Sequence, residues 1–174
     1  MKKIILLLAV AVVGMVGFQS CTGPEGIPGR DGNDGYSAES EVFEVSTSFN
    51  QANFFATTFG LNPVILDSDN ILVYELVNTN DGIDTWALLP QVYYFNEGSA
   101  QYNFDFSYDQ FTIFIDADFD KNLLPSAFTS GKTFRIVIVP GYFSNKSAVD
   151  TKDYNAVIKA YGIDDSNVKT LKQK

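Results

Sequence analysis

The sequence contains no histidine and a single cysteine, Cys21, and those absences remove most familiar chemistry. Without histidine there is no Ser-His-Asp or Cys-His nucleophile, and no ordinary zinc or copper ligand set. No Walker loop, Gly-rich dinucleotide fingerprint or HExxH motif occurs either. A lone cysteine cannot close an intramolecular disulfide, so there is no disulfide framework. Positive charge is scarce as well: 12 Lys and Arg stand against 21 Asp and Glu. Between Arg30 and Lys121 there is no basic residue, while that segment holds 16 acidic ones. Such a body is repelled by phosphate backbones, which excludes nucleic acid as a partner, and by anionic head groups. An enzyme built from what remains would rely on carboxylates, Tyr, Lys or Ser. Paired carboxylates can hydrolyse glycosides. With acids this frequent, however, some pair is always close, and the expectation is a non-catalytic protein.

What is present begins with MKKIILLLAVAVVGMVGFQSC. Lys2 and Lys3 form a positive start, Ile4 to Phe18 is apolar apart from two glycines, and Ser20 is small. This is the anatomy of a secretory signal peptide, with an apolar run shorter than the roughly 20 residues of a membrane span. Residues 1–20 are therefore expected to be removed. Cys21 then opens the mature chain, which carries 10 basic residues once Lys2 and Lys3 are gone, for a net charge of 10 − 21 = −11.

The next stretch, CTGPEGIPGRDGNDG, places Gly23, Gly26, Gly29, Gly32 and Gly35 in strict three-residue register. Collagen requires that register because only glycine fits at the axis of three chains. Four triplets with two prolines are too short to hold three chains unaided, since each ordered residue costs about 1–2 kcal/mol of backbone entropy. Residues 21–37 are therefore expected to act as a spacer. As an extended polyproline helix the 13 residues from Gly23 to Gly35 reach about 40 Å, and as a flexible coil about 20 Å. A homotrimer is the alternative, if the following domain registers the chains.

The position of Cys21 resembles the lipobox of bacterial lipoproteins, with Phe18 where leucine is usual. That resemblance implies lipidation of Cys21 and a membrane partner reached through the lipid anchor. Stable anchoring takes more than one acyl chain. Together with the Gly-X-Y stretch and phrases such as DTWALLPQ (84–91) and QYNFDFS (101–107), the layout is similar to small collagen-like lipoproteins of the Bacteroidota envelope. The resemblance implies an outer-membrane location on either face and no known activity.

From about residue 38 the pattern changes. EVFEVSTSF, QYNFDF and QFTIFIDADF alternate with period 2, placing Phe43, Val45 and Phe49, then Tyr102, Phe104 and Phe106, then Phe111, Ile113 and Ile115 on inward faces. Aromatic and β-branched residues at that period predict half-buried strands. ILVYELV (71–77) and FRIVIV (134–139) are continuous apolar runs, suited to central strands. FFATTF (54–59), TWALL (85–89) and VYYF (92–95) are further candidates. Asp81-Gly82 marks a tight hairpin turn. Strands following one another without intervening helices predict an antiparallel β-sandwich, jelly-roll or immunoglobulin-like, over residues 38–162. One helix is expected over 149–162, with Asp150 as N-cap, a stripe of Tyr154, Val157, Ile158 and Tyr161 facing a sheet, and Gly162 as its stop. Residues 163–174 read as a polar, mobile tail.

Three constellations stand out. Asp116, Asp118 and Asp120 alternate, so that on a strand their side chains share a face and one calcium ion would bridge them. The EF-hand pattern is absent, with Lys121 and Ala127 at the positions of its glycine and glutamate. Asn78, Asn80, Asp81 and Asp84 form a second oxygen-rich loop. Acidic outward residues also protect strand edges, the blander account of both. Trp86, Tyr93, Tyr94, Tyr102, Tyr108 and Tyr142 offer a platform for sugar rings or a partner peptide, against the simpler reading that large aromatics fill the core. The expected function is a displayed binding or structural module for a protein or glycan. A trimeric stalk-and-head adhesin and a calcium-dependent carbohydrate binder are the alternatives.

Overall fold

In the computed structural model, residues 41–141 and 149–173 are described. Cys21, the five register glycines and Tyr142 lie outside them. The strands are β1 (Val42–Thr47), β2 (Ala56–Gly60), β3 (Asn70–Asn80), β4 (Ile83–Leu88), β5 (Gln91–Tyr94), β6 (Ser99–Phe106), β7 (Gln110–Ala117), β8 (Lys132–Val139) and β9 (Lys169–Thr170). A four-residue helix, α1 (Ser126–Thr129), precedes β8, and α2 (Tyr154–Tyr161) follows it.

The strands form two sheets, β4-β3-β8-β1-β9 and β2-β7-β6-β5. Every pairing is antiparallel except the short β1–β9 contact. The expected sandwich with one main helix is what the structure shows. Its pairings of β1 with β8 and β2 with β7 are those of a rolled-up ribbon. The hairpins β3–β4 and β5–β6 depart from a complete jelly roll, and the order is not that of an immunoglobulin domain.

Why β3 and β8 are apolar without alternation is now plain. Ile71, Val73, Phe134, Ile136 and Ile138 face the second sheet. Leu72, Tyr74, Val137 and Val139 face the opposite way, under α2. A strand covered on both sides buries both sets of side chains. The second sheet has one covered face, so β6 and β7 alternate: Tyr102, Phe111, Ile113 and Ile115 are inside, and Gln101, Asn103, Asp105, Thr112 and Asp116 are outside. Phe106, expected inside, is 41% exposed because β6 and β7 run past the rim there into their turn. Asp81 (φ 50°) and Gly82 (φ 77°) make the β3–β4 turn, the left-handed pair of a two-residue hairpin.

Two expectations need correction. The N-cap of α2 is Asp153, whose carboxylate accepts from the Ala156 N–H at 3.1 Å, while Asp150 closes a turn through the Lys152 N–H. Residues 163–173 are not a mobile tail. Ile163 is buried, Lys169–Thr170 pair with Phe43–Glu44, Leu171 N–H donates to the Glu44 carbonyl at 3.1 Å, and Gln173 bridges Phe59. Backbone pairing and three apolar side chains, Ile163, Val168 and Leu171, hold a segment whose remaining composition reads as tail.

Candidate functional site

The three aspartates part company in the structure. β7 ends at Ala117, so the alternation that aligned them stops after Asp116. Asp118 accepts from Ser99 N–H at 2.8 Å and Ser99 Oγ at 3.0 Å, fixing the start of β6. Gly98 is required beside it: a Cβ there would lie 2.1 Å from Asp118 Oδ1. Asp120 caps the following turn through the Asn122 N–H and Nδ2. Asp116 is met, among the described residues, by Gln101 Nε2 at 3.5 Å. Among the described residues no three acidic or cysteine side chains come together to hold a metal ion. In the second loop, Asp84 accepts from Thr79 Oγ1 at 2.8 Å across the hairpin, and Asn78, Asn80 and Asp81 are exposed.

The aromatic candidates divide too. Tyr102 is fully buried and donates to the Phe128 carbonyl. Tyr93 donates to Glu75 at 2.7 Å. Trp86 packs on Tyr154 at 5.9 Å. Tyr94 and Tyr108 are exposed at opposite ends of β6, about 25 Å apart along a strand. They make no shared platform.

What sequence reading missed is Glu75, the acid inside ILVYELV. It is 1% exposed between the sheets, with Lys132 Nζ at 3.0 Å on one oxygen and the Tyr93 hydroxyl on the other. The Lys132 ammonium also lies 5.5 Å from the Tyr102 ring centroid. Every partner is thus a donor or a positive charge, as a buried carboxylate requires. A charged residue amid a strand buried on both faces was the available signal.

On the other face of the first sheet, Arg135 occupies an aromatic cage of its own. Its guanidinium lies 4.3 Å from the Trp86 ring centroid and 5.4 Å from that of Tyr154. It donates to Glu44 and to the Tyr154 hydroxyl, which in turn donates to Asp165. The group ties β1, β4, β8, α2 and the C-terminal segment together, a structural task.

Burial holds the Tyr74, Tyr102 and Tyr154 hydroxyls well above the usual tyrosine range, and in Tyr154 the bond to Asp165 adds to it. A phenol raised on folding contributes its full stability below the unfolded value near 10, and loses it as pH rises toward the folded value. Urea unfolding should therefore give level stability from pH 8 to about 9.5. Above about pH 10 the expected fall is up to about 1.4 kcal/mol per pH unit for each such tyrosine. Unchanged stability at pH 11 would contradict this.

Among the described residues no helix packs on the outer face of the second sheet, and β5 stands at the end of its strand order, β2-β7-β6-β5. Two depressions open beside that edge. One, of about 300 Å³, is lined by Val92, Ser99, Gln101, Asp116 and Asp118. The other, of about 520 Å³, lies between the β5–β6 turn and the segment before α1, and is lined by Tyr94, Phe95, Asn96, Glu97, Leu123 and Pro125. In the second, Tyr94 is 86% and Leu123 60% exposed. Phe95 forms the base of this groove, stacked edge-on against Phe119 and Phe128 at 6.0 and 5.1 Å. A mobile loop would not present these groups so firmly. Here the turn is pinned by Asp118, and Leu123 by the capped turn at Asp120.

Against this geometry, no family model, curated protein or solved structure matches the chain.

Proposed function

We propose that the protein is a lipid-anchored protein of the outer membrane that displays its β-sandwich as a non-catalytic binding module on a short spacer. Cys21, placed directly after the apolar run, is the anchoring residue in this reading, and the register glycines form the spacer. The observation that carries the display reading is the direction of β1. The chain enters the sandwich at Val42 and reaches the opposite end at Thr47, which pairs with Lys132. Phe95 of the β5–β6 turn meets Phe128, and the adjacent Thr129 carbonyl accepts from Phe49 N–H just beyond β1, so the groove between Tyr94 and Leu123 belongs to that opposite end, away from Val42. This supports a module held at one end and recognised at the other.

The test is fractionation of cells producing the wild type and Cys21→Ala. The wild type should sediment with membranes and the variant should become soluble in the envelope compartment. A variant that stays in the membrane fraction would overturn the anchor.

A further inference from the structure

We infer that the groove between Tyr94 and Leu123 receives an extended peptide segment of another protein, one carrying a large apolar side chain next to lysine or arginine. This deepens the display reading above and rests on it.

Tyr94, Phe95, Leu123 and Pro125, together with the polar Asn96 and Glu97, line a depression of about 520 Å³ whose accessible wall is more polar than apolar, and the Phe95 ring continues into the aromatic core through Phe128. The depression has room for one large side chain. Exposed apolar groups gathered in a depression with a polar rim mark interaction sites, whereas scattered ones do not.

The extended conformation follows from the edge. Phe95 N–H donates to the Gly98 carbonyl at 2.8 Å, so Phe95 and Gly98 form a bonded pair. With Tyr93 opposite Ala100 and Gln91 opposite Tyr102, the antiparallel pattern directs the bonds of Gln91 and Tyr93 toward β6. The backbone N–H and C=O of Val92 and Tyr94 then face away from the sheet. They offer a strand-addition site directly beside the groove, where main-chain bonds supply affinity and the pocket supplies selectivity. The strand is short, so the segment gains few such bonds and depends on its side-chain anchor.

Charge names the rest of the partner. Glu97 lines the groove, Asp118 sits against the neighbouring Ser99, and Asp120 caps the turn that carries Leu123. The nearby cations are engaged elsewhere. Lys121 Nζ donates to the Ile115 carbonyl, and Lys132 is paired with Glu75. The rim is therefore acidic, and basic residues flanking the apolar anchor complement it. The same rim argues against the other occupants. A second copy would bring an identical acidic rim to a two-fold contact, and an anionic bilayer would be repelled.

The test uses the full-length protein, purified in detergent, to select from a phage-displayed library of random peptides. Enriched peptides are then synthesised and measured by fluorescence anisotropy at low and high salt. The expected peptides place Lys or Arg within two residues of a large apolar one. Tyr94→Ser and Leu123→Ser should each weaken them about tenfold or more. Glu97→Gln should weaken them less and flatten the salt dependence. Because these side chains are exposed, urea unfolding curves of the variants should overlay the wild type, which separates lost binding from lost folding. The proposal is overturned by any of four results: no enrichment, enriched peptides without basic residues, binding indifferent to both serine variants, or a wild-type dimer that Leu123→Ser converts to monomer. The Cys21→Ala fractionation fails or succeeds independently of all four, so loss of the anchor and loss of the groove are distinguishable.

Discussion

Lys132→Met is expected to cost about 3–5 kcal/mol of stability, because it leaves the Glu75 carboxylate buried with its opposite charge removed. The triple variant Glu75→Leu, Lys132→Met, Tyr93→Phe should recover most of that loss. The reason lies in the asymmetry of buried ion pairs. Taking both charges out of water costs several kcal/mol per ion, and their attraction roughly repays it. Deleting one partner keeps the cost and forfeits the repayment. Deleting the pair together with the phenol that donates to it removes cost and gain alike, and exchanges them for apolar contact between the sheets. Glu75→Leu alone should fall between, since it strands the Tyr93 hydroxyl and leaves Lys132 able to turn outward along its partly exposed path. Urea unfolding of the four proteins checks the ordering. If Lys132→Met lies within about 1 kcal/mol of the wild type, the pair is solvated and does not act as a buried ion pair.

Phe128→Ala should lose about 3–5 kcal/mol, as large aromatic truncations in cores do. The ring is the hub of the aromatic cluster at this end of the sandwich. It stacks on Tyr102 at 4.4 Å and meets Tyr93 at 5.2 Å and Phe95 at 5.1 Å edge-on. The carbonyl of the same residue accepts from the Tyr102 hydroxyl. Truncation therefore opens a cavity bounded by three rings that other contacts keep from collapsing. Phe128→Leu should lose considerably less, because most of the volume remains. Equal losses for Ala and Leu would mean that ring geometry, not volume, sets the cost.

The legible part of this fold was the part governed by side-chain periodicity. Alternation in β6 and β7 reported one covered face, and the unbroken runs of β3 and β8 reported two; β1 alternates although both its faces are covered, because Glu44 on the α2 side pairs with Arg135. Gly162 and the stripe from Tyr154 to Tyr161 located α2, with its cap three residues from where it was expected because Asp150 and Asp153 are equally good capping types. What was not legible depended on backbone alone or on distant segments meeting. β9 pairs through main-chain groups that any composition supplies. The aspartate triad was projected along a strand that stops at Ala117, and periodicity carries no notice of where a strand ends. The groove joins residues 94–97 to 123–125, which no local pattern connects. Glu75 was visible, as a charge in a doubly buried strand, but its partners Lys132 and Tyr93 come from other strands.

The acidic surface acquires a division of labour in the structure. Asp118, Asp120 and Asp153 cap and pin turns, Glu44 and Asp165 hold Arg135, and Glu75 holds Lys132. Among the described residues Glu97 and Asp116 cap no turn and pair with no cation, and each borders one of the two depressions beside β5, Asp116 the smaller and Glu97 the larger.

The most direct test of the central claim is the intact mass of the protein recovered with detergent from cells that produce it. The account predicts a chain that begins at Cys21, lacks residues 1–20 and carries the added mass of acyl chains at that residue. Recovery of the unprocessed and unmodified 19.2 kDa chain would contradict it.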